Sequence, residues 1–393
     1  MAKNIVILCD GTSNEVSEDR TNILRLYGTL KKDVNQLVFY DPGVGTFGSS
    51  GNISYYYRRA TEIWGLITGW GLDQNVLEAY RFIAEHFDDG RQNGKKVREP
   101  DKICIFGFSR GAYTARVLAG FLHIYGLASR ENMNLLDYGY QAYKDIGSKS
   151  DDDSNDNGAF DEINLFQKML RPLHPTITLL GLFDTVGSVI ESGRRGLRFR
   201  SHAFTRKNPS VAHVRHALAI DERRTMFTPQ RFASGNEHRP DYFQPGSAVP
   251  QDVSEVWFSG VHGDVGGGYP EGKSELAKIP LHWMIEETKP LGLKYTTQTV
   301  NSIVLGKSKS KPYVAPNPLA APNDSMNAGW KILECLPRKY GAFDPDGNKG
   351  WFIPQSRRRF IPDGANIHHS VFKRRNTDSD YAQPNIPVNH DVI

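Results

Sequence analysis

The segment Gly107-Phe108-Ser109-Arg110-Gly111 is where this sequence is best equipped for chemistry. A serine with glycines two residues to either side can sit on a sharp strand-to-helix turn. Only small neighbours fit there, and the hydroxyl stands clear of the sheet. The flanking residues supply that context. Lys102 to Phe106 reads as a short buried strand, and Gly111 to about Tyr125 as a helix rich in Ala, Leu and Val. A helix starting at the serine aims its unpaired amides and positive dipole end at charge developing on a substrate. The backbone N–H of Arg110 would then be one oxyanion-hole donor. A second donor is expected from the loop after an early strand. Gly11 and Thr12, in Asp10-Gly11-Thr12-Ser13-Asn14, are placed for that role, although the same residues suit a plain Asp-Gly turn with Asn14 capping a helix.

A serine hydroxyl is a weak nucleophile without a base, and the base needs an orienting acid. When a serine elbow of this kind leads, the partners follow in the order acid, then histidine, at the ends of later strands. Asp184 ends the run Ile177-Thr178-Leu179-Leu180-Gly181-Leu182-Phe183, and Asp264 lies just past the run ending at Val261. His262 follows that second run, and His368 lies in Ile367-His368-His369-Ser370. Chain order permits Asp184 with His262, Asp184 with His368, or Asp264 with His368. Strand-end placement favours the first, and the glycines after His262 would let the backbone come close to a substrate.

These residues need a scaffold of short strands alternating with helices. Asn4 to Cys9, Gln36 to Tyr40, Lys102 to Phe106, Ile177 to Phe183 and Val256 to Val261 read as buried strands, and Leu72 to Phe87 carries helical spacing. The pattern implies an α/β fold: a mostly parallel central sheet flanked by helices, of the α/β-hydrolase type, with loop insertions. No linker divides the chain, so residues 1–393 are expected to form one domain. Asp151 to Asp161 reads as an acidic surface loop, and the Pro-, Asn- and Lys-rich stretch 295–360 as an irregular cover over one sheet edge.

Four segments together resemble a known family. They are Asp10-Gly11-Thr12 with Asn14; Gly107 to Tyr113 with Ala115-Arg116; Gly181-Leu182-Phe183-Asp184-Thr185-Val186; and Val261-His262-Gly263-Asp264-Val265-Gly266-Gly267-Gly268-Tyr269. The set is similar to the uncharacterised α/β-hydrolase domain family that includes phospholipase effectors of bacterial type VI secretion. The resemblance implies acyl-ester hydrolysis with phospholipids as substrates. It carries the nucleophile to Ser109, the acid to Asp184 and the base to His262. It also implies contact with a membrane surface and, for an effector, an immunity protein as partner.

Composition narrows the alternatives. The net charge of +4 gives no general case for nucleic-acid binding. Three cysteines cannot build a disulfide framework, and Cys9 and Cys104 sit in apolar runs as small hydrophobes. The N-terminal apolar run ends at Asp10-Gly11 and does not read as a signal peptide. No stretch approaches the ~20 apolar residues of a membrane span. The expectation is a chain made in the cytoplasm, with export only by a signal-independent route.

The basic run Arg194 to Arg200, followed by Arg206 and Lys207, could attract anionic headgroups or be a solvated face. The aromatic segment Tyr55 to Trp70 could wall an acyl chain or be ordinary core. Ser356-Arg357-Arg358-Arg359 reads as surface charge without a role. The leading reading is a serine acyl hydrolase acting on a lipid or small ester, with no metal or other cofactor. A metal-dependent hydrolase or phosphatase using Asp10, His262 and Asp264 is the second reading. A catalytically silent binding module on the same scaffold is the third.

Overall fold

The strand Asn4–Cys9 (β1), five apolar residues after Asn4, passes through the centre with both faces covered, which is why it shows no polar alternation. In the computed structural model, which describes residues 2–11, 20–43, 71–149, 158–187, 189–193, 196–200, 202–308, 313–339 and 350–393, this strand lies in an eight-stranded sheet. The others are Gln36–Asp41 (β2), Lys102–Phe108 (β3), Ile177–Phe183 (β4), Val211–Ala219 (β5), Asp252–Phe258 (β6), Ala365–Ile367 (β7) and His390–Val392 (β8). Their spatial order is β8-β7-β6-β5-β4-β3-β1-β2, and every pairing in it is parallel. This is the α/β-hydrolase-type architecture expected from the sequence.

Parallel strands need crossovers, and the helices among them cover both faces. On one face, Ile5, Ile7 and Cys9 of β1 pack with helices Leu72–His86 (α2) and Arg110–Tyr125 (α3). On the other, Val6 and Leu8 pack with Asn22–Thr29 (α1) and Lys278–Thr288 (α7). Between these lie Leu136–Lys149 (α4), Gly158–Leu170 (α5) and the short His262–Gly266 (α6), and Ala328–Cys335 (α8) and His369–Thr377 (α9) follow. Nearly every residue of α3 is buried, so the helix after Ser109 is held from all sides. Helix α1 starts where Thr21 accepts the Leu24 amide at 3.1 Å, a side-chain N-cap.

The structure departs from the sequence reading in four places. Strand β6 runs from Asp252 to Phe258 rather than from Val256 to Val261. Gly260, at φ +105°, turns the chain out of the sheet, and a Cβ there would lie 2.4 Å from the Asp264 Cβ. His262 therefore begins α6 instead of ending a strand. Strand β5 was not foreseen, because His213, Arg215 and His216 interrupt its apolar pattern; Arg215 pairs with Glu287, and the buried His216 ring bonds Glu255. The three-residue strands β7 and β8 leave too short a pattern to read. Asp161 lies in α5 rather than in a loop. Residues 151–157, the aromatic segment 55–70, Thr12, Arg194 and Arg195 lie outside the described residues.

The stretch 295–360 is mostly irregular in its described parts, with α8 embedded in it. It reaches the loops that leave the strand ends. Asn323 bonds Asp264, Ser325 bonds Glu222, and Glu334 accepts from the Thr225 amide and hydroxyl.

Tight packing under the site gives one stability test. A Cβ at Gly181 in β4 would lie 2.4 Å from the fully buried Phe106 ring and 3.2 Å from the Met284 sulfur. Gly181→Ala should cost about 1–3 kcal/mol through overpacking. Urea denaturation should show a lower midpoint; an unchanged or higher midpoint would mean that the ring moves aside freely.

Candidate active site

Ser109 joins β3 to α3 at φ 58° and ψ −120°, a left-handed φ that a serine adopts only under strain. The two glycines of its motif are required by close backbone approach. A Cβ at Gly107 would lie 2.3 Å from the Gly111 carbonyl oxygen, and one at Gly111 would lie 2.2 Å from that of Cys9. The elbow is tied down by the Ser109 amide, which donates to the Phe183 carbonyl at 3.0 Å.

The Ser109 hydroxyl lies 2.9 Å from Nε2 of His262, and Nδ1 of His262 lies 2.5 Å from Oδ2 of Asp184. Asp184 directly follows β4, itself at φ 41°. Its amide donates to the Ala217 carbonyl at 2.8 Å, anchoring it to the neighbouring strand β5. With a carboxylate on Nδ1, that nitrogen carries the proton and Nε2 is left to accept from the serine. The His262 ring is held between Phe108 (centroids 4.7 Å apart) and Phe227 (4.9 Å). Its backbone amide donates to Glu222 at 3.1 Å.

Asp184 is fully buried, and a buried carboxylate survives only if paired. Its second partner is Arg359, whose Nη1 donates to Oδ1 at 2.6 Å and Nη2 to Oδ2 at 2.9 Å. The Ala219 amide donates to Oδ1 at 3.0 Å. The same guanidinium donates to the carbonyls of Ala219 and Phe227 at 2.8 and 2.5 Å. Arg359 is therefore a buried clamp, not the surface charge expected from its sequence neighbours. Nothing local distinguishes it from Arg357 and Arg358, which are exposed; only the fold selects which of the three turns inward.

Burial pushes the Asp184 carboxyl up, but the Arg359 charge and the His262 bond outweigh it and hold Asp184 well below the usual range. Burial pulls the His262 imidazole below its ordinary value of 6.5, only partly offset by the Asp184 bond and charge. The imidazole is then neutral at pH 7, as a general base must be. Glu222 is also charged: burial raises it, but Arg224 and Arg359 bring it down to about 2. Beneath Asp184, the Thr185 amide donates to Nε2 of His216 at 3.2 Å, and Nδ1 of His216 meets Glu255 at 2.8 Å. Sequence reasoning passed over Glu222, His216, Glu255 and Arg359 alike.

The other candidates sit elsewhere. Asp264 accepts from the Val261 amide at 3.0 Å and from the Asn323 side chain at 2.6 Å, so it caps α6. His368 caps α9, with Nδ1 2.8 Å from the Ser370 hydroxyl and its ring stacked on Phe258. Neither is bonded to Ser109 among the described residues. Asp10 accepts from Thr21 at 2.6 Å and Tyr40 at 2.9 Å. No cluster of three or more His, Cys, Asp or Glu suited to a metal ion occurs among the described residues, so Asp10, His262 and Asp264 do not converge. The Gly11 amide donates to the Asp10 carboxylate at 2.7 Å. Arg110 opens α3 beside Ser109, as expected, and Thr12 lies outside the described residues.

Known proteins bear on this arrangement. A yeast protein, "Uncharacterized protein YEL023C" of Saccharomyces cerevisiae, is 34% identical over 237 residues, which are 57% of this chain and 32% of the relative. The chain thus spans about a third of that curated relative's length. An uncharacterised protein from Pseudomonas aeruginosa is a structural neighbour at 20% identity and a TM-score of 0.39, covering 75% of this chain and 46% of its own. A Tle1 effector, solved bound to the VgrG spike of the type 6 secretion system, matches at 19% identity and a TM-score of 0.34, covering 70% and 52%. The family model described as "T6SS, Phospholipase effector Tle1-like, catalytic domain" matches residues 3–287, a span that holds Ser109, Asp184 and His262 and is most of the chain. On that match the chain belongs to the Tle1-like family of type VI secretion phospholipase effector catalytic domains.

Proposed function

We propose that this chain is a serine acyl hydrolase that cleaves carboxylic ester bonds of phospholipids through an acyl-enzyme. One observation carries the reading: a continuous bond chain from the Ser109 hydroxyl through His262 to Asp184. Membership in a phospholipase effector family supplies the substrate class. His262 takes the Ser109 proton as Oγ attacks the ester carbonyl carbon, and the carbonyl π electrons move to oxygen. The Arg110 amide, in the first turn of α3, stabilises that oxyanion. Collapse expels the alcohol, which takes the proton from His262 and leaves Ser109 acylated. Water, deprotonated by His262, repeats the sequence and frees the fatty acid. Asp184 fixes the imidazole tautomer, and Arg359 fixes Asp184.

The same family membership supports contact with a lipid surface. It also supports an immunity protein as partner, and export from the cytoplasm by a signal-independent secretion apparatus.

Fluorophosphonate labelling tests the nucleophile. Wild type should label, Ser109→Ala and His262→Ala should not, and His368→Ala should keep most of the signal. Labelling of Ser109→Ala at the wild-type rate would sink the reading, and loss in His368→Ala alone would move the base.

The pH profile tests the base. The lowered imidazole stays neutral down to pH values below the usual 6.5, and protonation removes the base as pH falls further. The acid limb of kcat/KM should have its midpoint below about 6.5. A midpoint above 7 would contradict the burial-dominated environment of His262.

Arg359 is a positioning residue, and its loss should leave a distinct mark. Arg359→Gln removes a positive charge near the imidazolium, so protonation becomes easier and the acid limb should move to higher pH. The looser carboxylate should lower kcat roughly tenfold to a hundredfold with little change in KM. Arg359→Lys keeps the charge without the two-pronged geometry, so it should restore the pH midpoint more fully than the rate. An unshifted midpoint in Arg359→Gln would show that the residue serves folding alone.

A further inference from the structure

Just beyond the end of β5, the chain grips the turn that delivers His262. The Asp221 amide donates to the Gly260 carbonyl at 3.0 Å, and the Gly260 amide donates back to Oδ2 of Asp221 at 2.6 Å. Glu222 follows, with a fully buried side chain whose Oε2 accepts the His262 amide at 3.1 Å. The same carboxylate accepts the amides of Arg223 and Arg224 at 3.0 and 2.9 Å, and the Ser325 hydroxyl at 3.3 Å. Its charge is met by the Arg224 side chain, through Nε at 2.9 Å and Nη2 at 2.8 Å. That guanidinium lies 3.8 Å from the centroid of the Phe227 ring, which stands T-shaped to the His262 ring at 4.9 Å.

A neutral oxygen would serve to hold one backbone amide. A buried carboxylate paired with a guanidinium is costly to desolvate, and such a pair is weak evidence of stability by itself. What distinguishes this pair is its place. It flanks the base at its backbone, as Asp184 and Arg359 flank it at Nδ1. The Glu222 charge favours a protonated His262 ring, and the Arg224 charge opposes it.

We propose that Glu222 is a second positioning residue for the base. It fixes the backbone from which His262 projects, and its charge stabilises the imidazolium that forms when Ser109 loses its proton. Arg224 limits that charge, so the resting ring stays neutral. The proposal rests on His262 being the general base. The other ionisable neighbours are Asp264 in α6, Tyr269 after it, Asp324 in the cover, which acts on Tyr269, and Glu334 of α8, which Thr225 holds. Burial raises Asp264 to about 6 and keeps the Tyr269 phenol neutral. These residues stay unaltered in every variant below, so their titration is common to all.

The test uses the full chain. Glu222→Gln keeps an acceptor for the His262 amide but removes the charge. The acid limb of kcat/KM should then move to lower pH by at least about half a unit. Its kcat should fall roughly tenfold with little change in KM. Arg224→Gln removes the opposing charge. Glu222 keeps its three amides and the nearby Arg359 charge and stays ionised, so the limb should move to higher pH. Glu222→Asp retains the charge at shorter reach, so it should hold the midpoint closer to wild type than Glu222→Gln does, at a reduced rate. Arg223→Gln makes the same charge change on an exposed side chain that donates to the Ser356 carbonyl, and it should leave the limb in place.

Opposite shifts in Glu222→Gln and Arg224→Gln support the proposal, because a loss of stability would lower both activities without moving the limbs apart. If circular dichroism shows Glu222→Gln unfolded, the upward shift of Arg224→Gln decides the matter. NMR titration of the histidine side chains in Ser109→Ala, with the ring assigned by His262→Ala, reads the same two shifts without turnover. Ring midpoints that stay put, or move together, in the two variants overturn the proposal while leaving the hydrolase reading intact. Opposite ring shifts with no matching rate shifts overturn the role of His262 as base, and the catalytic role of Glu222 with it.

Discussion

A single buried carboxylate organises this molecule. Asp184 has no access to water, and an ionised carboxylate in that position is tolerated only when nearly all its lone pairs are satisfied. Three sources satisfy them: His262, the Ala219 amide and the two-pronged Arg359. These lie on three separate segments, the last of them 175 residues from Asp184 in the chain. Breaking such a pair costs roughly 3–5 kcal/mol, so the segments that meet at Asp184 hold one another in place.

The parallel sheet makes this convergence feasible. Its strands all end on the same side, so the loops after β3, β4, β5 and β6 share one space. Strand β5 separates the acid's strand from the histidine's, and its end holds Asp184 twice: the Ala217 carbonyl accepts the Asp184 amide, and the Ala219 amide donates to the Asp184 carboxylate. Ser109 and Asp184 both take positive φ values, a cost of about 1–3 kcal/mol each. That strain persists because the surroundings over-determine it. The buried α3 fixes one turn, and the His216–Glu255 pair under Thr185 steadies the other.

Residues beyond 287, where the family match ends, are structurally engaged with the site. Arg359 reaches Asp184, Asn323 reaches Asp264 in α6, and Ser325 reaches Glu222 behind His262. Glu222 links these parts, because one carboxylate receives both the His262 amide and the Arg224 fork.

The elbow at Ser109, the strands β1 to β4 and the helices α2 and α3 were legible in the sequence. Each depends on residues within a few positions of one another: apolar runs, helical spacing, and glycines where backbones touch. The place of Asp184 at a strand end was legible for the same reason. Three acid–histidine pairs fitted the chain order, and local pattern could not rank their distances. Tertiary structure decided that His262 reaches Ser109 while His368 and Asp264 cap helices. It also decided that Arg359, alike in sequence to the two arginines before it, is the one buried against Asp184. The physical reason is common to both cases. A turn or a strand is written in neighbouring residues, whereas an ion pair between positions 184 and 359 exists only after the sheet has brought its partners together.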